Sequence, residues 1–377
     1  MPSIEIRPVS TRRELRAFVK FPWRIYRGDR NWVPPLISER LQYLDPATGP
    51  FYKNAEVVLF LARRGREVLG TIAAFVNRQV VERLGPVGGF GFFEVVDDFA
   101  VARALLDAAG DWLRARQMTW MRGPTSFTET EYPGVLIAGA DCPPAMLENH
   151  TPPYYKDLLE QYGMEKDHDL YAWRAFRWQV GQELKNIPQS LLRAAEAARR
   201  AANVTIRKLR MEDWDQEVAR AHYLFNTTLT HLPEHVPMSE DEFRRLADQM
   251  RIFLDPDLAL FAEADGKPIG FCVALPDINR VLLRLNGRLF PFGWLMIRRY
   301  IRQIDVVTFK LMGILEEYRH RGIDALLYLE TIKAFYEKGY EWLDGSLTSE
   351  HNPTINLLAQ RLGAECYKHY RLYRIRL

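Results

Sequence analysis

The stretch GILEEYRHRGIDALLYLETIKAFYEKGYEWLDG (313–345) has a second copy earlier in the chain, GFFEVVDDFAVARALLDAAGDWLRARQMTWMRG (91–123), at an offset of 222. Gly91, Glu94, Leu105, Trp120 and Gly123 meet Gly313, Glu316, Leu327, Trp342 and Gly345. Each copy reads as the end of a strand, a tight loop, a long apolar helix and a further strand. A repeat of this kind organises the whole fold, so the rest of the chain is read from it outward.

Upstream of the quoted stretch the offset falls to 200. VLFLARRGREVLGTIAAF (58–75) aligns with LALFAEADGKPIGFCVAL (258–275), Gly70 with Gly270, and IEIR (4–7) with VTIR (204–207). Near the ends of the two copies the offset is again 200, with Gly163 opposite Gly363. The second half therefore carries an insertion around 277–303, and the first a compensating one around 124–148. A tandem duplication is the expected organisation: an N-terminal unit over 1–180, a linker over 181–203 and a C-terminal unit over 204–377. The linker stretch PQSLLRAAEAARRAAN (188–203) is rich in good helix formers, with Pro188 suited to a first turn and Asn203 to a stop. SEDE (239–242) is a capping-box start for the second helix of the C-terminal half. Each half reads as strands alternating with helices, which predicts an α/β fold with a mixed central sheet flanked by helices.

Composition agrees with two folded units. The chain has 377 residues, 47% apolar and 26% charged, enough apolar surface to exclude disorder. A net charge of +3 with interspersed signs excludes a non-specific nucleic-acid binder. No apolar run reaches the ~20 residues of a membrane-spanning helix. The opening MPSIEIRPVS lacks a secretory pattern, and Cys142, Cys272 and Cys366 are odd in number and far apart. A cytoplasmic protein with reduced thiols is the expectation.

The chemistry is expected at the loop between the strand ending near Leu315 and the helix beginning near Gly322. Such a junction exposes unpaired backbone N–H groups at the positive end of a helix dipole. Gly322 permits close approach to the backbone, and Arg319, His320 and Arg321 add charge. The result is a cradle for a diphosphate. The first-half counterpart reads Asp97, Asp98, Phe99, Ala100, Val101 and Ala102, with two acids and no glycine, and is expected to be inert toward that ligand.

These residues resemble the GCN5-related N-acetyltransferase (GNAT) family, whose cofactor signature is Gln/Arg-x-x-Gly-x-Gly/Ala after the fourth strand. Arg319, Gly322 and Ile323 fit the surrounding phrase and Asp324 departs from it. The family's second motif, an Asn followed by a Tyr ahead of Gly-Phe, finds its Asn in Asn352. Ala359 stands at the Tyr position, and Ala364 follows Gly363. The resemblance covers 204–377 and implies a tandem GNAT-like protein, two acyl-CoA N-acyltransferase-like units of which one keeps a cofactor loop. It further implies acetyl-CoA or another acyl-CoA as co-substrate, held by Ile314, Leu315, Arg319, His320, Arg321, Gly322, Ile323, Asp324 and Asn352. The thioester would lie between the fourth and fifth strands and an amine would attack it directly. Tyr370 or Tyr367 would replace the tyrosine missing at 359 as the acid for the departing thiolate.

Glu350 and His351, just after the fifth strand, are the candidate general bases. His231 and His235 occupy the loop between the first two helices of the C-terminal half, which often lines the acceptor site in this fold. Pro233 between them spoils a helical metal pair, and no HExxH, Walker loop or nucleophile elbow occurs, so no metal is expected. The 124–148 insertion reads either as a wall of an acceptor cleft between the halves or as a Pro-rich loop packed on the linker. The segment RVLLRLNGRLFPFGWLMIRRYIRQ (280–303) holds six arginines and no acid. It reads as a peripheral membrane contact, a cover for a long acyl chain, or a packed helix pair with a solvated arginine face.

The preferred functional reading is an N-acyltransferase moving an acetyl or longer acyl group from acyl-CoA to a small-molecule or lipid-like amine, in a cleft shared by both halves. The alternative is a duplicated fold without catalysis, serving as a CoA- or ligand-binding module with a lipid association. An internal pseudo-dimer leaves both monomer and dimer open.

Overall fold

Apolar, β-branched runs broken by polar turns become strands, and the amphipathic or wholly apolar stretches between them become helices. The computed structural model describes residues 3–181, 185–201, 204–230, 237–289 and 293–377. In the first half the strands are β1 (Ile4–Pro8), β2 (Ala55–Arg64), β3 (Glu67–Asn77), β4 (Val87–Val95), β5 (Trp120–Thr125), β6 (Val135–Ala138) and β7 (Glu165–Phe176). Its helices are α1 (Arg12–Lys20), α2 (Pro22–Ile25), α3 (Ile37–Tyr43), α4 (Arg78–Leu84), α5 (Phe99–Arg114), α6 (Tyr154–Tyr162) and α7 (Arg177–Val180). The linker is α8 (Gln189–Ala201), with Pro188 ahead of its first turn; Asn203 lies outside the described residues.

The second half repeats the order with β8 (Val204–Lys208), β9 (Ala259–Ala264), β10 (Lys267–Pro276), β11 (Val306–Ile314), β12 (Trp342–Ser349) and β13 (Glu365–Arg376). Its helices are α9 (Trp214–Thr228), α10 (Glu240–Met250), α11 (Asn279–Leu285), α12 (Gly293–Ile301), α13 (Ile323–Glu337) and α14 (Pro353–Arg361). The repeated helices α5 and α13 and the glycines ending α6 and α14, both with positive φ, fall where the alignment puts them. The capping box of α10 forms as expected, Ser239 N–H donating to Glu242 at 3.0 Å. The 277–303 insertion is the α11–α12 hairpin.

All strands join one sheet in the order β1-β2-β3-β4-β5-β13-β7-β12-β11-β10-β9-β8, with β6 paired to β13. Among the described residues, only β4–β5 and β11–β12 run parallel. The halves are not side by side as separate sheets: each gives its last strand to the other. β7, from the first half, pairs with β12, and β13, from the second, pairs with β5. β7 and β13 then pair with each other across the seam. The two large cores lie on either side, one around Leu105, Leu106, Phe90 and Tyr155, the other around Phe261, Phe271, Leu326 and Leu327.

The seam encloses a polar chain. Tyr367 Oη lies 3.1 Å from Asp344 and 3.2 Å from Glu148, and Asp344 accepts from Thr308 at 2.5 Å. A phenol has one hydrogen, so a proton on Glu148 lets that carboxyl donate to Tyr367 while Tyr367 donates to Asp344. Burial, followed by the Asp344 charge, pushes the Glu148 carboxyl up to about 8. The folded chain thus keeps a proton that the unfolded chain releases near the ordinary carboxylate range, and stability falls as pH rises toward 8. Glu148→Gln removes this dependence. In urea titrations its stability relative to wild type should rise by up to about 1.4 kcal/mol per pH unit between pH 5 and 8, then level off.

Candidate active site

The site begins where two parallel strands part. β11 and β12 are in register only at Val306↔Trp342, Val307↔Leu343 and Thr308↔Asp344. Beyond that, β11 pairs only with β10, and β12 only with β7. The β10–β11 register passes from Val273↔Leu311 to Ala274↔Phe309, so Lys310 is the extra residue of a bulge with no register partner on either side. Its ammonium reaches Ser346 Oγ at 3.0 Å.

The wedge holds a cavity of about 550 Å³, a size that encloses an organic ligand. Both faces of the sheet contribute to it. Phe271 lies on the α9 face, beside Gly313 and Thr228, whereas Phe309 stacks on Tyr328 of α13 at 5.3 Å. The cavity therefore passes through the sheet. On one side Trp214, Val218, Phe225 and Phe243 of α9 and α10 line it; on the other, Thr331 and Phe335 of α13 face Ile355, Leu358 and Ala359 of α14. The first half supplies Glu129, Glu131, Leu147, His168 and Leu170, so the 124–148 insertion walls this cavity.

The same place in the first half is shut. Gly91 pairs with Thr125, and a Cβ on Gly91 would come within 1.7 Å of the Thr125 carbonyl. The aligned Gly313 instead packs on Thr228 of α9, and Gly345 on Trp173 of β7. Tyr155, Leu158 and Leu159 of α6 join the core under α5 and close the space that stays open between α13 and α14. The Asp98 carboxylate accepts from Ala100 N–H at 3.0 Å, occupying the first turn of α5. What is left is a cavity of about 120 Å³ near Phe92, Glu94 and Ser126.

The residues expected at the cofactor loop are distributed unevenly. Ile314 ends β11, Leu315 is buried beyond it, and Ile323 opens α13 from the core. No side chain caps α13. His320, with φ +60°, and Arg321 are exposed beside it, Arg321 lying 5.3 Å over the Tyr318 ring. Arg319 turns inward, donating to the Thr228 carbonyl at 2.7 Å and the Ile314 carbonyl at 3.2 Å. Gly322 has φ +77°, and a Cβ there would meet the Ala194 carbonyl of α8 at 2.4 Å. Close packing of the linker helix thus accounts for this glycine. Asp324 is exposed in the first turn. Asn352 caps α14, accepting from Ile355 N–H at 3.4 Å, and borders the cavity together with Ala359.

Of the expected catalytic groups, His351 borders the cavity. Glu350 accepts from Lys166 at 2.8 Å and from Asp169 N–H at 3.0 Å. Burial opposes its charge, but these partners outweigh burial and hold the carboxyl below its usual range. Tyr370 is fully buried in the seam, where its hydroxyl donates to the Asn149 carbonyl at 2.8 Å, away from the cavity lining. Tyr367 is committed to the Glu148–Asp344 chain. His231 and His235 lie outside the described residues.

His168, outside the expected site residues, also lines the cavity. It is 1% exposed, its Nδ1 lies 2.7 Å from Asp167 Oδ2, and its ring is 5.7 Å from that of His351. The only signal was a histidine flanked by two aspartates in β7, a strand assigned to the other half. No group of three or more metal-type side chains occurs among the described residues, and no described helix is long and apolar enough to cross a membrane.

No family model matches the chain. Protein YghO of Escherichia coli K12 is 34% identical over 375 residues, 98% of this chain and 94% of that protein. The bacterial ceramide synthase of Caulobacter vibrioides is 34% identical over 380 residues, 98% of this chain and 97% of that one. The chain belongs to their family. Among solved structures, a tandem GNAT protein from the clavulanic acid biosynthesis pathway superposes with a TM-score of 0.57 at 12% identity, over 99% of this chain and 98% of that one. The tandem GNAT-like fold is thereby shown, with the C-terminal half as its open half.

Ala359→Trp should fill the space between α13 and α14. Binding of an apolar fluorescent dye such as anilinonaphthalene sulfonate should fall at least tenfold, with a melting temperature within a few degrees of wild type, because the side chain enters existing space.

Proposed function

We propose that this chain is an acyl-CoA-dependent N-acyltransferase that joins a long acyl group to a lipid-like amine. The through-sheet apolar cavity at the parted strands β11 and β12 carries this reading. A polar acceptor with a two-carbon acyl donor has no use for a passage lined by Phe, Leu, Ile and Met on both sides of the sheet. The name of the Caulobacter relative supports the same class, since a ceramide is a fatty amide of a long-chain amino alcohol.

The residues at the α13 junction have the chemistry of a diphosphate site, but they lie outside the cavity lining, and Gly322 among them packs on the Ala194 carbonyl of α8. The uncapped amides at the start of α13, with His320 and Arg321, would hold the diphosphate, and Arg319 braces the loop through the Thr228 and Ile314 carbonyls. Acyl-CoA supplies a thioester, an acyl group already activated for attack. Lys310, the extra residue of the bulge where the strands part, would supply a backbone amide for the thioester carbonyl oxygen. Asn352 and Ala359 border the acyl path. The amine would enter from the α9–α10 side, and Glu129, Glu131 and Leu147 of the first-half insertion wall the cavity.

The α11–α12 hairpin serves delivery of a lipid acceptor. It docks on the first half, Trp23 Nε1 donating to Asn286 at 3.0 Å and Ile37 N–H to Gly287 at 3.0 Å. Arg284, Arg288, Arg298, Arg299 and Arg302 stay exposed, and none meets a carboxylate among the described residues. Each such arginine contributes about 1 kcal/mol at an anionic surface. Vesicles containing phosphatidylglycerol should sediment the protein and neutral vesicles should not, and an Arg298→Glu/Arg299→Glu double variant should stay in the supernatant.

The deciding assay measures thiol release and product mass with acyl-CoAs from two to sixteen carbons and sphinganine as the acceptor. Release should require the amine and increase with acyl length. Binding of acyl-CoA with no release for any pair would leave the non-catalytic module. Gly322 variants are unsuitable here, because a side chain at that position displaces α8 before it affects a ligand.

A further inference from the structure

We infer that His168 is the proton acceptor of this site, oriented by Asp167, and that the catalytic base therefore comes from the opposite half of the duplication. This rests on the transferase reading above. β7 belongs to the first half by sequence but pairs with β12 in the open sheet, which brings His168 to the cavity wall.

The geometry is that of a positioned base. Asp167 Oδ2 lies 2.7 Å from Nδ1 and Arg122 Nη2 lies 3.3 Å from the same nitrogen; the shorter contact, to a carboxylate that can only accept, favours the tautomer with hydrogen on Nδ1 and Nε2 as acceptor. Nε2 is buried and has no hydrogen-bond partner among the described residues. A buried unsatisfied ring nitrogen is costly unless something else binds there. Asp167 is itself held: Arg122 donates to it at 2.7 Å and reaches Glu129 at 2.8 Å. Burial pushes the Asp167 carboxyl up, but the His168 hydrogen bond and the Arg122 charge more than offset it and keep it ionised. Glu129 Oε2, 3.9 Å from Nε2, adds negative charge on the side where an ammonium would enter. Glu350, by contrast, is committed to Lys166 and the Asp169 amide.

The acceptor arrives as an ammonium, R–NH3⁺, and gives one proton to His168 Nε2. The free amine attacks the thioester carbon, forming the C–N bond. Collapse of the adduct breaks the C–S bond, and the second nitrogen proton passes to the departing thiolate, giving the amide and free CoA thiol. The proton on His168 returns to solvent, so each turnover releases one proton net. Asp167 and Arg122 touch no reacting atom and are positioning residues.

The test uses the full chain with palmitoyl-CoA and sphinganine. His168→Ala should lower kcat by about 10²- to 10⁴-fold while palmitoyl-CoA affinity, measured by calorimetry, changes less than threefold. Added imidazole should restore part of the rate, which a purely structural role would not allow. Asp167→Asn, nearly isosteric, should lower kcat at least tenfold with KM for the amine within threefold, and keeps the test open if His168→Ala fails to fold. Wild-type turnover with either variant retaining kcat within threefold overturns the base assignment alone. No wild-type turnover with any amine overturns the transferase reading, and the base role with it.

Discussion

The structure depends on a register that stops. Three residue pairs join β11 to β12, and after Thr308↔Asp344 the two strands turn to different neighbours. Parallel strands that part leave backbone groups and apolar side chains without partners, a state that folding removes unless something holds the strands apart. Two things do so here. The Lys310 bulge interrupts β11 two residues past the last pair, and the buried chain from Thr308 through Asp344 and Tyr367 to Glu148 pins the apex. Past the apex, Gly313 packs on Thr228 of α9 while β12 stays paired with β7, with Gly345 against Trp173. The cavity is the space these contacts protect.

The first half shows what happens without them. The same glycines, Gly91 and Gly123, let β4 and β5 zip together to Thr125, and α6 seals the rest. Equivalent sequence positions thus do opposite work according to what packs beside them. The closed half retains two uses. It donates β7, with Asp167 and His168, to the open sheet, and its 124–148 insertion walls the cavity. Exchange of the last strands is what makes the duplication one molecule rather than two, since neither sheet is complete without a strand from the other.

The repeat, the order of elements, the insertion sites and the helix starts at 189, 240 and 323 were legible because each rests on local signals: periodicity, caps and punctuating glycines. The pairing of β7 and β13 was not. Strand exchange leaves no local trace, as the sequence of β7 reads as a strand whichever neighbours it takes. His168 was invisible for that reason. Gly322 was seen but given a ligand's role, when the backbone of α8 requires the same absence of a side chain. Glu350 looked available because its partner Lys166 lies in the strand that crosses over. Each of these depends on a contact between halves.

On the transferase reading, magnitudes explain why the loop at 319–324 can depart from the family pattern. A helix N-terminus and its neighbouring cations contribute about 0.3–1 kcal/mol each to holding an anion, and Asp324 in the first turn subtracts from that sum. Each methylene buried in an apolar passage contributes about 0.8 kcal/mol. A chain of roughly sixteen carbons therefore gains ~10 kcal/mol before its ordering cost, several times what the loop provides. An enzyme for acetyl-CoA must hold its donor by the diphosphate, because two carbons offer little to bury. One for long acyl groups can hold its donor by the tail, and the first-turn acid is then free to stabilise α13. The open wedge and the weakened cradle are in this sense one adaptation, with affinity moved from the phosphates to the hydrocarbon.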